Sequence, residues 1–306
     1  MAPFPIDAVV AWVDGNDPAH RAKLLQYAGG EDLSRDCVAS PTRFSDLGEI
    51  KICIASIRRF APFVRNIFVL TDGQDPHIEG VTLVDHRDIY RGYEEFLPVF
   101  CSRSFETLLW RIPGLAEHYI YFNDDIILRR PCGAEDFFPD GKALHYAHPF
   151  SIAAVMLLRR FKPAYKWGYK DCLAEAAALA GCTRSFLYLP HMPHPQIASV
   201  AREYFEAHPD VMLRNMRERF RRPGQFNPQA LNAQLCIDVG EGVLRDDRGA
   251  HLYMKPRGGM DYYKKKLAKF AAGTGALSIC VNSLDQAPEE GRRMVLEWLE
   301  TLVGLR

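Results

Sequence analysis

Three apolar runs in the first 130 residues end in the same way. Ala8 to Val13 runs into Asp14-Gly15-Asn16-Asp17-Pro18, Ile67 to Thr71 into Asp72-Gly73-Gln74-Asp75-Pro76, and Tyr119 to Phe122 into Asn123-Asp124-Asp125. Each run has the length and near-continuous apolar character of a strand covered on both faces, and each is closed by acids and turn formers. Asp46 with Glu49 marks a helix start, after which Leu47, Ile50, Ile54 and Ile57 recur on one face until Ala61-Pro62. Val81 to Val84 adds a strand that leads into Asp85-His86-Arg87-Asp88, and Phe105, Leu108, Leu109 and Ile112 add a helix closed by Pro113-Gly114. This rhythm predicts an α/β fold, Rossmann-like, with a mainly parallel sheet and helices on both faces.

The pattern changes after Pro149. Cys172 to Leu179, Ile197 to Phe205, Val211 to Phe220 and Ala230 to Ile237 read as helices joined by Pro and Gly turns, a helical insertion. The stretch from Leu252 to Val281 predicts a strand returned to the sheet, and Pro288 to Leu302 a closing helix. Residues 1–150 are therefore expected to form an α/β core, and residues 151–240 a mainly helical insertion carrying His191 and Arg221. Residues 241–306 are expected to return to the core and end in a helix.

Composition narrows the class. A chain of 306 residues, 48% apolar and 25% charged, can bury a sizeable core, which excludes disordered and fibrous classes. Its formal charge is zero but unevenly spread. Arg214 to Arg222 holds five arginines against Glu218, and Lys255 to Lys269 holds five lysines and Arg257 against Asp261. Such patches suit an anionic partner or, equally, solvated helix faces. Nucleic acid is not among the expected partners. The longest apolar stretch, Ile152 to Leu158, is far short of the roughly 18 residues that span a bilayer. With no basic leader at the N-terminus, the expected location is cytoplasmic. The eight cysteines lack the close spacing of zinc or redox motifs and read as free or buried thiols.

Ligands of open parallel sheets bind at the carboxyl ends of the strands, so three acidic strand ends describe a crevice suited to a nucleotide diphosphate and its metal. Any one of these pairs alone is also ordinary turn punctuation. His191-Met192-Pro193-His194-Pro195 precedes a helix expected near Gln196, with His194 near its N-cap, where phosphate oxygens bind and a histidine serves as a general base. Packing and capping are the competing account. Arg219, Arg221 and Arg222 stand beside a Pro-Gly break, placed either to fork onto phosphate or as a solvated helix end.

The run Ile6 to Pro18 resembles the first signature block of the Stealth proteins, the sugar-phosphate transferases of bacterial capsule synthesis, whose blocks are shared by the animal enzyme that makes the mannose-6-phosphate lysosomal tag. Arg43-Phe44-Ser45-Asp46 with Glu49, Ile50 and Lys51, then Val64 to Thr71, Asp85 to Asp88, Ile112 to Leu115 and Tyr119 to Asp125, resemble the second block. His191 to His194 with Arg219 to Arg221 are similar to the third, and Ile279 to Asn282 with Asp285 to the fourth. The resemblance implies transfer of a hexose-1-phosphate, usually N-acetylhexosamine-1-phosphate, from a UDP-sugar to a hydroxyl of a saccharide acceptor or growing phosphate-linked polysaccharide, releasing UMP. It places Asp14, Glu106, Asp125, His191 and Arg221 in the active site; Glu106 follows from the resemblance alone and otherwise reads as a first-turn helix acid.

The chain departs from the family at Asn282-Ser283, where Asn-Asp is usual, and at Cys101-Ser102, where Asn-Ser is usual. Mg²⁺ or Mn²⁺ is expected on Asp124 and Asp125, with Asp285 substituting for the altered fourth-block ligand. Expected substrate contacts are Trp12, Gly15, Asn16 and Asp17 in the first loop, Asp72 and Gln74 in the next, Arg43, Asp46, Lys51, His86, Arg103 and Asn123 in the second block, and His194, Arg219 and Lys255 later. Two rivals remain open at this point: a metal-dependent glycosyltransferase that releases UDP, and a sugar-binding protein without turnover. The stretch Tyr262-Tyr263-Lys264-Lys265-Lys266 suits an anionic chain, the inner face of a membrane, or simply an amphipathic helix.

Overall fold

The computed structural model describes residues 3–29, 46–161, 167–272 and 275–306. The first half contains β1 (Ile6–Ala11), α1 (Pro18–Ala28), α2 (Glu49–Phe60), β2 (Ile67–Thr71), β3 (Thr82–Asp85), α3 (His86–Ile89), α4 (Ser102–Glu106), β4 (His118–Asn123), β5 (Ile126–Leu128), β6 (Ala143–Tyr146) and β7 (His148–Ser151). There follow α5 (Ile152–Phe161), α6 (Tyr169–Leu179), β8 (Ser185–Tyr188), β9 (His194–Ile197), α7 (Ala198–Ala207), α8 (Pro209–Met216) and α9 (Pro228–Asp238). The chain closes with β10 (Gly242–Arg245), β11 (His251–Met254), α10 (Met260–Ala271), β12 (Ser278–Val281) and α11 (Glu289–Val303).

The main sheet has the order β3-β2-β1-β4-β9, the first four strands parallel and β9 antiparallel on the edge. It is an α/β fold covered on both faces. Alternation along each strand feeds two cores: Ile6, Ala8, Val10, Val69, Ile120 and Phe122 face one, and Val9, Phe68, Leu70, Tyr119 and Tyr121 face the other. The first core is closed by α2, α10 and α11 through Ile54, Ile57, Leu267, Val295 and Leu299. Helices from the second half close the other through Leu173, Phe205, Met212 and Leu231. The helical stretch is thus the covering layer of the second sheet face.

Strand direction decides what reaches the upper rim. Parallel β1, β2, β3 and β4 all deliver their carboxyl ends to it. Because β9 runs antiparallel to β4, with Tyr121 opposite His194, the segment entering β9 arrives at that same rim. Likewise β12 runs antiparallel to β5, and its end meets the turn after β4 through Val281 N–H donating to Asp125 O at 3.1 Å. β11 is parallel to β12, so Lys255 emerges beside Asn282, whose N–H donates to Met254 O at 3.0 Å.

Several expectations require correction. His194 is in β9 and not at a helix start; Pro195 is tolerated there because an edge strand has backbone that needs no ladder partner, and α7 begins only at Ala198. The helix expected over Phe105 to Ile112 breaks after Glu106 into a 3₁₀ turn at Leu109–Arg111. The stretch from Leu252 to Val281 forms two strands around α10, and they join β5 in a separate three-stranded sheet instead of extending the main one. In α10, Tyr263 is fully buried with Leu267 and Phe270 while Lys264 and Lys265 are exposed, the amphipathic alternative. Among the described residues no helix is long and apolar enough to cross a membrane.

At the opposite end of the sheet Asp7, which no sequence signal marked, is fully buried. Its carboxylate accepts from Arg65 Nε at 3.0 Å and Nη2 at 2.7 Å, from Asn66 N–H at 3.1 Å and from Ala116 N–H at 2.7 Å, tying the entrances of β2 and β4 to β1. Removing it strands buried donors. Asp7→Ala is expected to lower stability by about 2 to 3 kcal/mol, read as a lower urea midpoint at unchanged slope. A loss below about 0.5 kcal/mol would show that the carboxylate does not tie the strands together.

Candidate active site

A cavity of about 610 Å³ opens on the upper rim. Trp12 and Val13 line it from the end of β1, Asn123, Asp124 and Asp125 from the end of β4, and Lys255 and Asn282 to Gln286 from the ends of β11 and β12. His191 enters from the approach to β9, and Arg221 from the segment after α8. That last segment is pinned by Phe100 N–H donating to Arg219 O at 2.7 Å and by the stacked Phe100 and Phe220 rings, 5.2 Å apart. Five remote pieces of chain therefore contribute charged side chains to one cavity.

The acids are destabilised as anions. Burial and then the charge of Asp125 push the Asp124 carboxyl far above the usual carboxylate range, and burial also raises Asp125. Asp125 Oδ2 accepts from the Cys280 thiol at 3.5 Å, while its Oδ1 is buried with no partner among the described residues. Glu49 also lines the cavity; burial pushes its carboxyl up to about 7, although Leu47 N–H donates to it at 2.6 Å. The sequence marked Glu49 as a helix start and as part of the second signature block, not as a site residue. Gly48, in the left-handed region at φ 92°, turns the chain into α2 so that this first-turn acid faces inward. Asp46 lies beside it, with its own carboxyl raised by burial.

An orphaned carboxylate oxygen within an all-oxygen donor set fits a hard divalent cation that completes its shell with substrate oxygens and water, as Mg²⁺ and Mn²⁺ do. Among the described residues no group of three His, Cys, Asp or Glu side chains converges on one metal position. Asp285 lines the same cavity from a 3₁₀ turn, and Ser283 before it is held in the left-handed region at φ 58° with its hydroxyl donating to Asn282 Oδ1 at 3.0 Å.

The cations form the other half of the site. His191 lies between the rings of Tyr169 and Tyr253, at 5.3 and 5.9 Å. Burial lowers its pKa, Asp125 opposes that, and Arg221 reinforces it. The Arg221 pKa is lowered by burial and by the neighbouring Arg103, which is itself buried. Glu106 lies behind this pair, accepting from the Tyr121 hydroxyl at 2.8 Å, its carboxyl raised by burial against the pull of Arg221. Lys255 is exposed at the mouth.

Most of the other expected residues do not line the cavity. Gln74 accepts from Asp14 N–H at 2.7 Å and donates to Asp14 O at 2.8 Å, clamping the loop after β1, and Asp14 Oδ1 accepts from Asn16 N–H across Gly15. Asp17 caps α1 by accepting from His20 N–H. Asp72 pairs with His20 Nδ1 at 2.8 Å and with Lys23 at 3.1 Å, and that pairing presents His20, absent from the sequence reading, to the cavity. His86 lines the cavity as expected, stacked on Phe105, its pKa pushed down to about 4 by burial. Lys51 is on the exposed side of α2. Arg219 donates to the carbonyls of Glu95 and Leu97 and stacks over Tyr27, so it is spent on the scaffold. His194 is not among the lining residues; burial, reinforced by His145, pushes its pKa down to about 3. Arg43 lies outside the described residues.

Comparison with known proteins identifies relatives of the chain. The family profile "Stealth protein CR1, conserved region 1" matches residues 4–32, and "Stealth protein CR2, conserved region 2" matches residues 43–145. An exopolysaccharide phosphotransferase of Streptomyces coelicolor is 44% identical over 94% of this chain, which spans 53% of that protein's length. The capsular polysaccharide phosphotransferase WcwK of Streptococcus pneumoniae is 30% identical, over 94% of this chain and 93% of its own. The receptor polysaccharide phosphotransferase WefC of Streptococcus oralis is 28% identical over 85% and 86%. With a near full-length relative among them and conserved regions 1 and 2 both matched, the chain belongs to the Stealth family.

Proposed function

We propose that this protein transfers a hexose-1-phosphate, an N-acetylhexosamine-1-phosphate in particular, from a UDP-sugar to a hydroxyl of a saccharide acceptor with release of UMP, in capsular or extracellular polysaccharide synthesis. The observation that carries the reading is that Asp124 and Asp125 share one cavity with His191, Arg221 and Lys255. A pyrophosphate needs both halves: cationic side chains for its charge, and carboxylates where a metal meets its oxygens. The polysaccharide phosphotransferases among its relatives supply the reaction class.

His191 suits the role of general base because burial and Arg221 favour its neutral form, leaving a ring nitrogen to take the acceptor hydroxyl's proton. The hydroxyl oxygen attacks the β-phosphorus in line. A new phosphorus–oxygen bond forms as the bond from that phosphorus to the α,β-bridging oxygen breaks, and the bridging oxygen leaves with UMP. The sugar C1–oxygen bond is untouched, so anomeric configuration is retained. Arg221 and Lys255 neutralise charge on the transferred phosphoryl group and the departing nucleotide. A divalent ion held by Asp124 and Asp125 would supply further charge neutralisation on the diphosphate when bound.

A UDP-sugar carrying label in its β-phosphate is expected to pass that label to the product and to release unlabelled UMP; label retained on UDP would instead identify a glycosyltransferase. His191→Ala is expected to lower turnover by about 10²-fold with donor binding largely intact, measured by steady-state kinetics and titration calorimetry. Unchanged turnover removes the imidazole from the mechanism. Chelation with EDTA is expected to abolish UMP release, and Mg²⁺ or Mn²⁺ to restore it; full activity in EDTA would rule out the ion.

A further inference from the structure

Alternation along β4 puts Tyr121 and Asn123 on the same face of the sheet: Tyr121 is packed in the second core, and Asn123, two residues on at the end of the strand, reaches the cavity wall. The Tyr121 hydroxyl, on a ring only 2% exposed, lies 2.8 Å from Glu106 Oε1 and 2.9 Å from the terminal amide of Asn123. A phenol has one proton and cannot donate to two acceptors at once. One neighbour must give a hydrogen to the phenol oxygen: either Glu106 is a neutral acid, or Asn123 turns its amide nitrogen toward Tyr121. Heavy-atom positions do not distinguish the two ends of an amide, so the choice falls to the surroundings.

Those surroundings are cationic. Arg103, 8% exposed, and Arg221 repel each other, and Glu106 is the carboxylate that offsets both. Two guanidiniums held together out of water with no anion between them would leave uncompensated charge, so the carboxylate beside them carries its charge and accepts. The phenol proton then goes to Glu106, and the phenol oxygen takes its hydrogen bond from Asn123. We propose that Tyr121 is a positioning residue that locks the Asn123 side chain with its nitrogen inward and its carbonyl oxygen toward the cavity, as an acceptor for a sugar hydroxyl. An acceptor next to Asp124 and Asp125 repels phosphate oxygens and welcomes donors, and the sugar hydroxyl as its ligand rests on the proposed function above. The Arg103–Arg221 pair thereby sets the hydrogen-bonding sense of a residue on another wall.

The lock is read directly from the exchange of the Asn123 side-chain amide with water, measured by NMR on the full chain, its resonances identified by their loss in Asn123→Asp. In the unaltered protein one amide hydrogen is expected to be protected by the phenol oxygen, and Tyr121→Phe to speed its exchange at least tenfold. Glu106→Gln is the second variant. The guanidiniums draw the glutamine oxygen, its nitrogen donates to the phenol, and the phenol proton turns to Asn123, which reverses and loses protection while Tyr121 is still present. Fast exchange in the unaltered protein, or protection unchanged in Glu106→Gln, overturns the proposal; the latter holds even if Tyr121→Phe fails to fold. In UDP-sugar turnover both variants are expected to raise donor KM severalfold, a readout separate from the exchange result, which stands even if the chain acts on another donor.

Discussion

Asp124 and Asp125 are adjacent, sheltered carboxylates, and two unit charges about 4 Å apart near a protein surface repel by about 4 kcal/mol, so such a pair persists only where something offsets it. Its surroundings worsen the conflict on one side, where Glu49 and Asp46 add negative potential, and relieve it on the other, where His191 acts on Asp125. The cations have the mirror problem, since Arg103 and Arg221 stand together with the buried Glu106 beside them. Each half of the site is strained alone, and a ligand carrying a metal-binding face and an anionic face relieves both. That complementarity is what a nucleotide diphosphate with its cation offers.

Topology explains how residues from Trp12 to Asp285 meet. Four parallel strands place acidic loops on one rim, as strand polarity requires, while the two antiparallel pairings, β9 with β4 and β12 with β5, bring later segments back to that rim from the other direction. A wholly parallel sheet would have sent the approach to β9, and His191 with it, to the far end. Stability is handled at that far end, where Asp7 gathers the entrances of three strands.

Much of this was legible in the sequence because it rests on local periodicity. β2 falls on the apolar run Ile67 to Thr71, and α2 and α11 follow their apolar spacing closely. The unforeseen features depend on contacts distant in sequence. Glu49 looks like any first-turn acid until Gly48 fixes the direction of entry. His20 has no motif and reaches the cavity through a carboxylate 52 residues away. His194 and Pro195 read as a helix start because Pro favours that position, and only the edge of a sheet that cannot be seen locally makes them a strand. Asp14, which the resemblance placed in the active site, and Asp72, expected to touch substrate, do not line the cavity; Asp14 accepts within its own loop and Asp72 holds His20 and Lys23 of α1, so acids at strand ends also build the supports of a site.

The central claim is that one pyrophosphate bridges the two halves. A crystal structure of the protein with UDP and Mn²⁺ tests it most directly. The account predicts the diphosphate between Asp125 and the Arg221–Lys255 side, with the manganese ion touching a carboxylate oxygen of Asp124 or Asp125 and His191 facing the β-phosphate. A diphosphate bound elsewhere on the rim, with Arg221 and His191 out of its reach, would contradict it.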